Sequence, residues 1–471
     1  MAPVNTPVRQ SKHAWHLLSR INPSKRNALD RIKDHREIYA YYDERAVREQ
    51  ASRCVQCANP LCRFGCPLSN RIPQWLALTA EGQFLEAAEI SRSTSNMPEI
   101  CSRVCPQERL CEAGCVLNGR AEPVSIGPIE KFINEYAIAH GCLERNDNPS
   151  NGFRVAVIGA GPAGLACSDE LSKLGYAVTV FEAQNVAGGL LVNGIPAFKL
   201  EKSVVSRRIE AIASSGVDFR LSSRIGRDLS LTELMTAYDS VFIALGAQAP
   251  KPFGIPGSDL IGVFDALPFL ASRNGVPGPD TPTVPVAGKR VVVLGGGDTA
   301  MDCLRTAIRG GAADAICLYR RDLANMPGNR REYENAIEEG AKVQFLTNPV
   351  KIHGDELGRV THVTCIEMAL GEPDAGGRRK PRPVPGSEFQ IAADIVLAAY
   401  GFDPEPLSEI SGFYGLRTNE WGTVETDAHG MTSLPGVFAG GDIVRGPSLV
   451  VHAVRDGRVA ASGIHHYLTG L

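Results

Sequence analysis

The chain of 471 residues lacks any long apolar run. Its N-terminus, MAPVNTPVRQSKHAWHLL, has no hydrophobic signal core, and its most apolar stretches, VAVIGAGPAGLAC and ADIVLAAYG, are too short and too broken by glycine to span a bilayer. A cytoplasmic protein is expected, with no membrane partner. The sequence also lacks an excess of either charge: 49 Lys and Arg stand against 52 Asp and Glu, a net charge of -3. That leaves no electrostatic footprint for nucleic acid. No short-period repeat is visible. With 44% hydrophobic and 21% charged residues, the chain is long enough for two or three domains with real cores.

What it has in plenty is glycine and grouped cysteine. The 48 glycines exceed the share of roughly 7% expected of an average chain. Many follow apolar runs, where backbone must turn sharply or approach a ligand, which points to nucleotide sites. Of 13 cysteines, eight lie between Cys54 and Cys115, while Cys142, Cys167, Cys303, Cys317 and Cys365 stand singly and read as small buried hydrophobes. Grouped cysteines in a large cytosolic chain bind metal more often than they form disulfides.

Residues 1–150 read as a helical domain, with amphipathic patches such as DERAVREQASR and PIEKFINEYAIAHG and few β-branched runs. Its first 53 residues hold 11 Lys or Arg against 6 Asp or Glu, either a docking face for an acidic partner or a solvated helical face. A polar, turn-rich linker, NDNPSNG, closes it at Gly152. The texture then becomes α/β. FRVAVIG is a buried strand, PAGLACSDELSKLG a helix closed by Gly175, and YAVTVFEA a second strand. KRVVVLGGG, DTAMDCLRTAIRGG and DAICLYRR repeat that pattern, so the chain carries two Rossmann-like units. Turn-rich stretches near 272–289 and 371–387 flank the second, and strands and a last helix come after it. The second domain, 281–387, is therefore expected to be inserted in the first, 151–280 with 388–471.

In the first unit Gly159, Gly161 and Gly164 lie between strand and helix, where a pyrophosphate can meet bare backbone and a helix N-terminus. Glu182 closes the second strand, placed to accept hydrogen bonds from a ribose. The second unit has Gly295 and Gly297, with Ala300 in the third position. Where an NAD site would put an acid it has Tyr319, Arg320 and Arg321, and guanidinium groups pair with the 2′-phosphate of NADPH. Arg330 and Arg331 are weaker candidates for that pocket, and an exposed helix start accounts for them better.

The cysteines fall into two groups, Cys54, Cys57, Cys62, Cys66 and Cys101, Cys105, Cys111, Cys115, enough for two four-thiolate sites. Zinc favours paired CxxC knuckles and the second group has none, which makes zinc the lesser reading. Pro67 follows Cys66 and Pro106 follows Cys105, a ferredoxin-like feature in which the cysteine before proline serves the other cluster.

SLPGVFAGGDIVRGPSLVVHAVRDGR resembles the second FAD signature of glutathione reductase-like flavoproteins. The resemblance gives FAD to the first unit and makes Asp442, after Gly441, the residue that holds the ribityl chain. A helix starting near Pro447 or Ser448 would point its positive end at the flavin. VFIALGA resembles the same superfamily's strand and turn beside the flavin. A hydride donor and a flavin whose acceptor lies elsewhere need a one-electron conduit, which iron–sulfur clusters provide and zinc does not.

Taken together, RCVQCANPLCRFGCPLSNRIP, EICSRVCPQERLCEAGCVLN, SIGPIEKFINEYA, GAGPAG, GGGDTA, YRRD with NMPGNRRE, and AGGDIVRGPSLVVHA resemble the small subunits of bacterial NADPH-dependent glutamate synthases over essentially the full length. The iron–sulfur and flavin modules are also similar to the N-terminal part of dihydropyrimidine dehydrogenase. The resemblance implies NADPH, FAD and two 4Fe-4S clusters, with interleaved ligands: Cys54, Cys57, Cys62 and Cys115 on one, and Cys66, Cys105 and Cys111 on the other. The fourth ligand of the second is Cys101 or Glu130, Glu130 being the nearest match to a glutamine ligand of dihydropyrimidine dehydrogenase. It further implies electron delivery to a large (α) subunit that forms L-glutamate from L-glutamine and 2-oxoglutarate. The alternative is the same build serving another acceptor, a pyrimidine reductase or a ferredoxin-type transhydrogenase. This chain shows no amidotransferase domain, and Ala2 rather than a cysteine nucleophile follows Met1.

Overall fold

The computed structural model describes residues 13–142, 148–276, 283–373, 379–407 and 412–470. Residues 13–142 are mainly helical. Asp43 caps the helix Glu44–Ser52 by accepting from the Ala46 N–H at 2.7 Å. That helix packs with Ile72–Glu81, Phe84–Arg92 and Ile126–Ala139 around Val47, Trp75, Leu76, Ala87, Ile129 and Ile133. The helical domain also shares a core with the α/β part of the chain. Met97, Ile100 and Cys101, at the helix Pro98–Val104, lie in the same apolar cluster as the first α/β sheet. Glu99 of that helix accepts two buried bonds from Arg208, at 2.7 and 2.9 Å.

Beyond the helical domain stand two parallel five-stranded sheets. The first runs Val437–Ala439, Ser240–Ile243, Arg154–Ile158, Ala177–Phe181, Asp218–Arg220. The second runs Val263–Asp265, Ile395–Ala398, Arg290–Leu294, Asp314–Leu318, Lys342–Gln344. Their central strands are buried along nearly their whole length, as parallel strands covered on both faces must be. All strands of the second sheet fall between two pieces of the first, so the second unit is inserted in the first.

The insertion is wider than the sequence suggests. Val263–Asp265, the helix Ala266–Arg273 and Ile395–Ala398 fall outside 281–387 yet belong to the second unit. The chain crosses between the units at the antiparallel pair Ala249–Pro250 and Phe402–Asp403. The stretch 371–387 is also corrected: Val360–Pro373 and Arg379–Pro383 pair there as antiparallel strands. Its part 374–378, the part 277–282 of the other turn-rich stretch and the linker's first residues, 146–147, lie outside the described residues. Among the described residues no helix is long and apolar enough to cross a membrane.

Candidate functional site

The two glycine loops are built alike. Gly159 has φ +102° and Gly295 φ +140°, and a Cβ on either would stand 2.4 Å from a backbone oxygen, of Ala244 or Ala399 respectively. Only glycine allows that turn so close to the neighbouring strand end. At Gly161 and Gly297 a Cβ would meet nothing within 4 Å. These open positions stand at the N-termini of the helices Pro162–Lys173 and Asp298–Arg309, the place a pyrophosphate needs. The third positions differ: a Cβ at Gly164 would strike the Gly159 oxygen at 1.9 Å, whereas buried Ala300 fits the second loop.

A cavity of about 200 Å³ surrounds the first loop. Glu182 lies on its wall, its carboxylate accepting from the Ala160 N–H at 2.9 Å and the Gln184 N–H at 2.8 Å. Burial raises its pKa against those two bonds. Each oxygen keeps a lone pair for a ribose hydroxyl. Asp442 faces the same cavity, its carboxyl pushed up by burial to about 6. The turn before it is fixed by Asp456, which accepts from the Gly441 N–H (3.1 Å) and from Arg445 (2.6 Å). The last helix, Val450–Thr469, begins slightly later than expected, after a short helix Asp442–Arg445; Ser448, Leu449 and Val450 line the cavity at its N-terminus. Ala244, Leu245 and Gly246, from VFIALGA, line it too. Sequence reasoning missed Gly189 and Asn193, which line it as well. Gly189, at φ +53°, brings its Cβ position within 3.0 Å of the Gly161 Cα, and the Gly188–Gly189 doublet was the available signal.

At the second loop a Cβ on Gly296 would lie 2.4 Å from the ring of Tyr319, whose hydroxyl donates to the Asn325 carbonyl at 2.8 Å. Tyr319 is thus a buried prop, and the two arginines after it do the facing outward. Arg320 is exposed and its guanidinium makes no hydrogen bond or ion pair among the described residues; Arg321 Nε donates to the Arg379 carbonyl at 3.1 Å. Arg330 and Arg331 do not join them. Arg330 pairs with Glu334 at 3.3 Å, and Arg331 stands over the Tyr39 ring of the helical domain. Asp298, unremarked in the sequence, accepts from the Asn329 N–H at 2.8 Å and holds the turn at Asn329 to the loop.

The eight cysteines line two cavities, and neither cavity draws on one sequence group alone. Cys54, Cys57, Cys62 and Cys115 surround one of about 20 Å³. Cys66, Cys101, Cys105 and Cys111, with Glu130, surround another of about 30 Å³. Two glycines knit the groups together. A Cβ on Gly65, before Cys66, would lie 2.6 Å from the Leu110 oxygen; one on Gly114, before Cys115, would lie 2.6 Å from the Leu61 oxygen. Each run thus packs backbone on backbone with the other, which delivers Cys66 and Cys115 across.

Burial pushes the thiols of Cys54 and Cys62 up to about 12 and that of Cys66 to about 11, so only a bound cationic centre would make them thiolates near neutrality. The Cys101 thiol and burial likewise raise Cys105, and burial raises Cys111. Glu130, raised by burial to about 7, accepts through Oε1 from Asn70 (2.9 Å) and Ser91 (3.1 Å).

The three cavities stand in series. Val450 lines the dinucleotide cavity and its neighbour Val451 lines that of Cys66 and Glu130. Ile126 lines both cysteine cavities.

Comparison with known proteins accords with this layout. Residues 31–142 match the family described as dihydropyrimidine dehydrogenase domain II, 4Fe-4S cluster, and 153–457 match pyridine nucleotide-disulphide oxidoreductase. The NADPH glutamate synthase small chain of Azospirillum brasilense is 48% identical, over 94% of this chain and 94% of its own. That of Escherichia coli is 45% identical, over 98% and 100%. Among solved structures, FprA of Mycobacterium tuberculosis shares the fold, with a TM-score of 0.59 at 20% identity over 69% of this chain and 85% of its own. The chain belongs to the family of NADPH glutamate synthase small chains, oxidoreductases of the pyridine nucleotide-disulphide class.

Proposed function

We propose that this chain is the electron-input subunit of a glutamate synthase. FAD would be held by Gly159, Gly161, Gly164, Glu182, Gly441 and Asp442, and NADPH by Gly295, Gly297, Arg320 and Arg321. Two 4Fe-4S clusters would be held by Cys54, Cys57, Cys62 and Cys115, and by Cys66, Cys105 and Cys111 with Cys101 or Glu130. When bound, these groups supply hydride acceptance at the flavin and single-electron transfer at the clusters.

The observation that carries the reading is the succession of cavities, from the glycine loop past Val450 and Val451 to Cys66, and past Ile126 to Cys54. The protein's own contribution is position and exclusion. Gly161 and Gly297 leave room for diphosphates, Glu182 and Asp442 accept from sugar hydroxyls, and the N-terminus of Val450–Thr469 favours negative charge in the cavity. Arg320 and Arg321 pair with a 2′-phosphate. No acid–base pair is required of the residues.

Exposed Leu61 lines the cavity of Cys54, and exposed Phe64 stands on the same short helix, where a large subunit would dock. That partner would make L-glutamate from L-glutamine and 2-oxoglutarate. Tagged protein isolated anaerobically should contain flavin, iron and acid-labile sulfide, and should capture a large subunit that restores NADPH-dependent glutamate formation. Capture of a pyrimidine-reducing or ferredoxin-linked partner instead would refute the glutamate assignment while leaving the electron path intact.

A further inference from the structure

A cavity of about 450 Å³, lined by none of the loop glycines or cysteines and sharing Gln107 with the cavity of Cys66, lies where the helical domain meets both α/β units. That volume suits a small organic ligand. Its cations Arg20, Lys25, Arg103, Lys131, Lys199 and Arg305 are each matched by a carboxylate: Glu112, Glu338, Glu37, Glu37, Asp302 and Glu339. Arg331 is different. Its guanidinium makes no ion pair or hydrogen bond among the described residues, and its buried Nε is unbonded. It stands 5.3 Å over the face of Tyr39, which fixes its plane. Across the cavity's rim Glu108, exposed, is likewise without an ion pair among the described residues. Arg331 and Glu108 line the same cavity, and among the described residues no salt bridge joins them.

The two Nη of a planar guanidinium form a bidentate carboxylate receptor, and a carboxylate at the mouth attracts an ammonium. We infer that this junction binds a small zwitterion of amino-acid type, its carboxylate on Arg331 and its ammonium on Glu108. The ligand would touch the helical domain and the nucleotide-binding units at once, so occupancy would brace the junction between them.

Isothermal titration of the full chain with L-glutamine, L-glutamate, L-aspartate and L-serine, one at a time, should give saturable binding for at least one. Arg331→Gln should weaken it by about tenfold or more, and Glu108→Gln should weaken it less, because a rim pair is better solvated. 2-Oxoglutarate and butylamine, each lacking one charge, should bind more weakly than the amino acid. Unchanged melting temperature and flavin content in both variants would show that the fold is kept. No saturable binding by any of the four, binding indifferent to Arg331→Gln, or equal binding of 2-oxoglutarate would each overturn the assignment.

Discussion

Glu339→Gln should loosen the junction between the helical domain and the inserted unit more than any exposed charge change. The Glu339 side chain is fully buried and accepts from Arg31 at 2.7 Å, Arg305 at 2.9 Å and Arg309. Burial alone would raise its pKa, but the guanidinium groups of Arg309 and Arg305 override it and hold the carboxyl down to about 2 from 4.5. That difference corresponds to roughly 3 kcal/mol favouring the charged form in the folded protein. Because the folded pKa is depressed, the contribution is complete above pH 4.5 and is lost as pH falls toward 2. Removing the charge leaves buried guanidinium groups unmatched, a change that costs about 3–5 kcal/mol.

At neutral pH the variant should unfold at lower urea, and hydrogen exchange should quicken in the helices Ala28–Arg31 and Arg330–Glu338, which the network joins. Glu334→Gln, which breaks a pair more than half exposed on both sides, should change stability by no more than about 1 kcal/mol. Unaltered exchange in the two helices of the Glu339 variant would mean that the network does not hold them together.

Other outcomes concern the two glycine loops and the cysteines. Gly114→Ala places a methyl 2.6 Å from the Leu61 oxygen and 3.2 Å from the Cys62 nitrogen, and should lower bound iron and sulfide before it lowers flavin; full iron content would count against the interlock. Arg320→Ala with Arg321→Ala should raise the KM for NADPH by about tenfold or more while leaving that for NADH nearly fixed, and equal losses would end the assignment of the 2′-phosphate. Cys57→Ser, at the cavity farthest from the glycine loop, should spare flavin reduction by NADPH and abolish delivery to the large subunit; loss of flavin reduction would mean that the cavities are not arranged as a relay.

The glycine loops are legible because their constraint is local: a strand, a left-handed turn and a helix N-terminus fall within a dozen residues, and Glu182 and Arg320 close the next strand of each unit. The crossing of Cys66 and Cys115 is not written in spacing, since the Cys–Pro feature points to Cys66 and Cys105 instead. It rests on the backbone contacts of Gly65 with Leu110 and Gly114 with Leu61, which join segments far apart in the chain, and family resemblance is the route by which it is reached. The bounds of the inserted unit escape because Val263–Asp265 is three residues long and only half-buried, too short to show a pattern. The basic N-terminal stretch reads as a docking or solvated face, yet Arg31 and Arg53 are buried and spend their charge inside, on Glu339 and on backbone carbonyls. A sequence count of charges does not distinguish these fates.

The nested order of the two sheets has a consequence for synthesis. Strand Val437–Ala439 and helix Val450–Thr469 leave the ribosome after every strand of the inserted sheet, the last of which ends at residue 398. The nascent chain therefore completes its inner unit while the outer one still lacks an edge strand and the helix that closes over its ligand. Flavin capture then has to wait for residues 437–469, and a chain that stops between residues 398 and 437 carries every strand of the second sheet while the first lacks its edge strand.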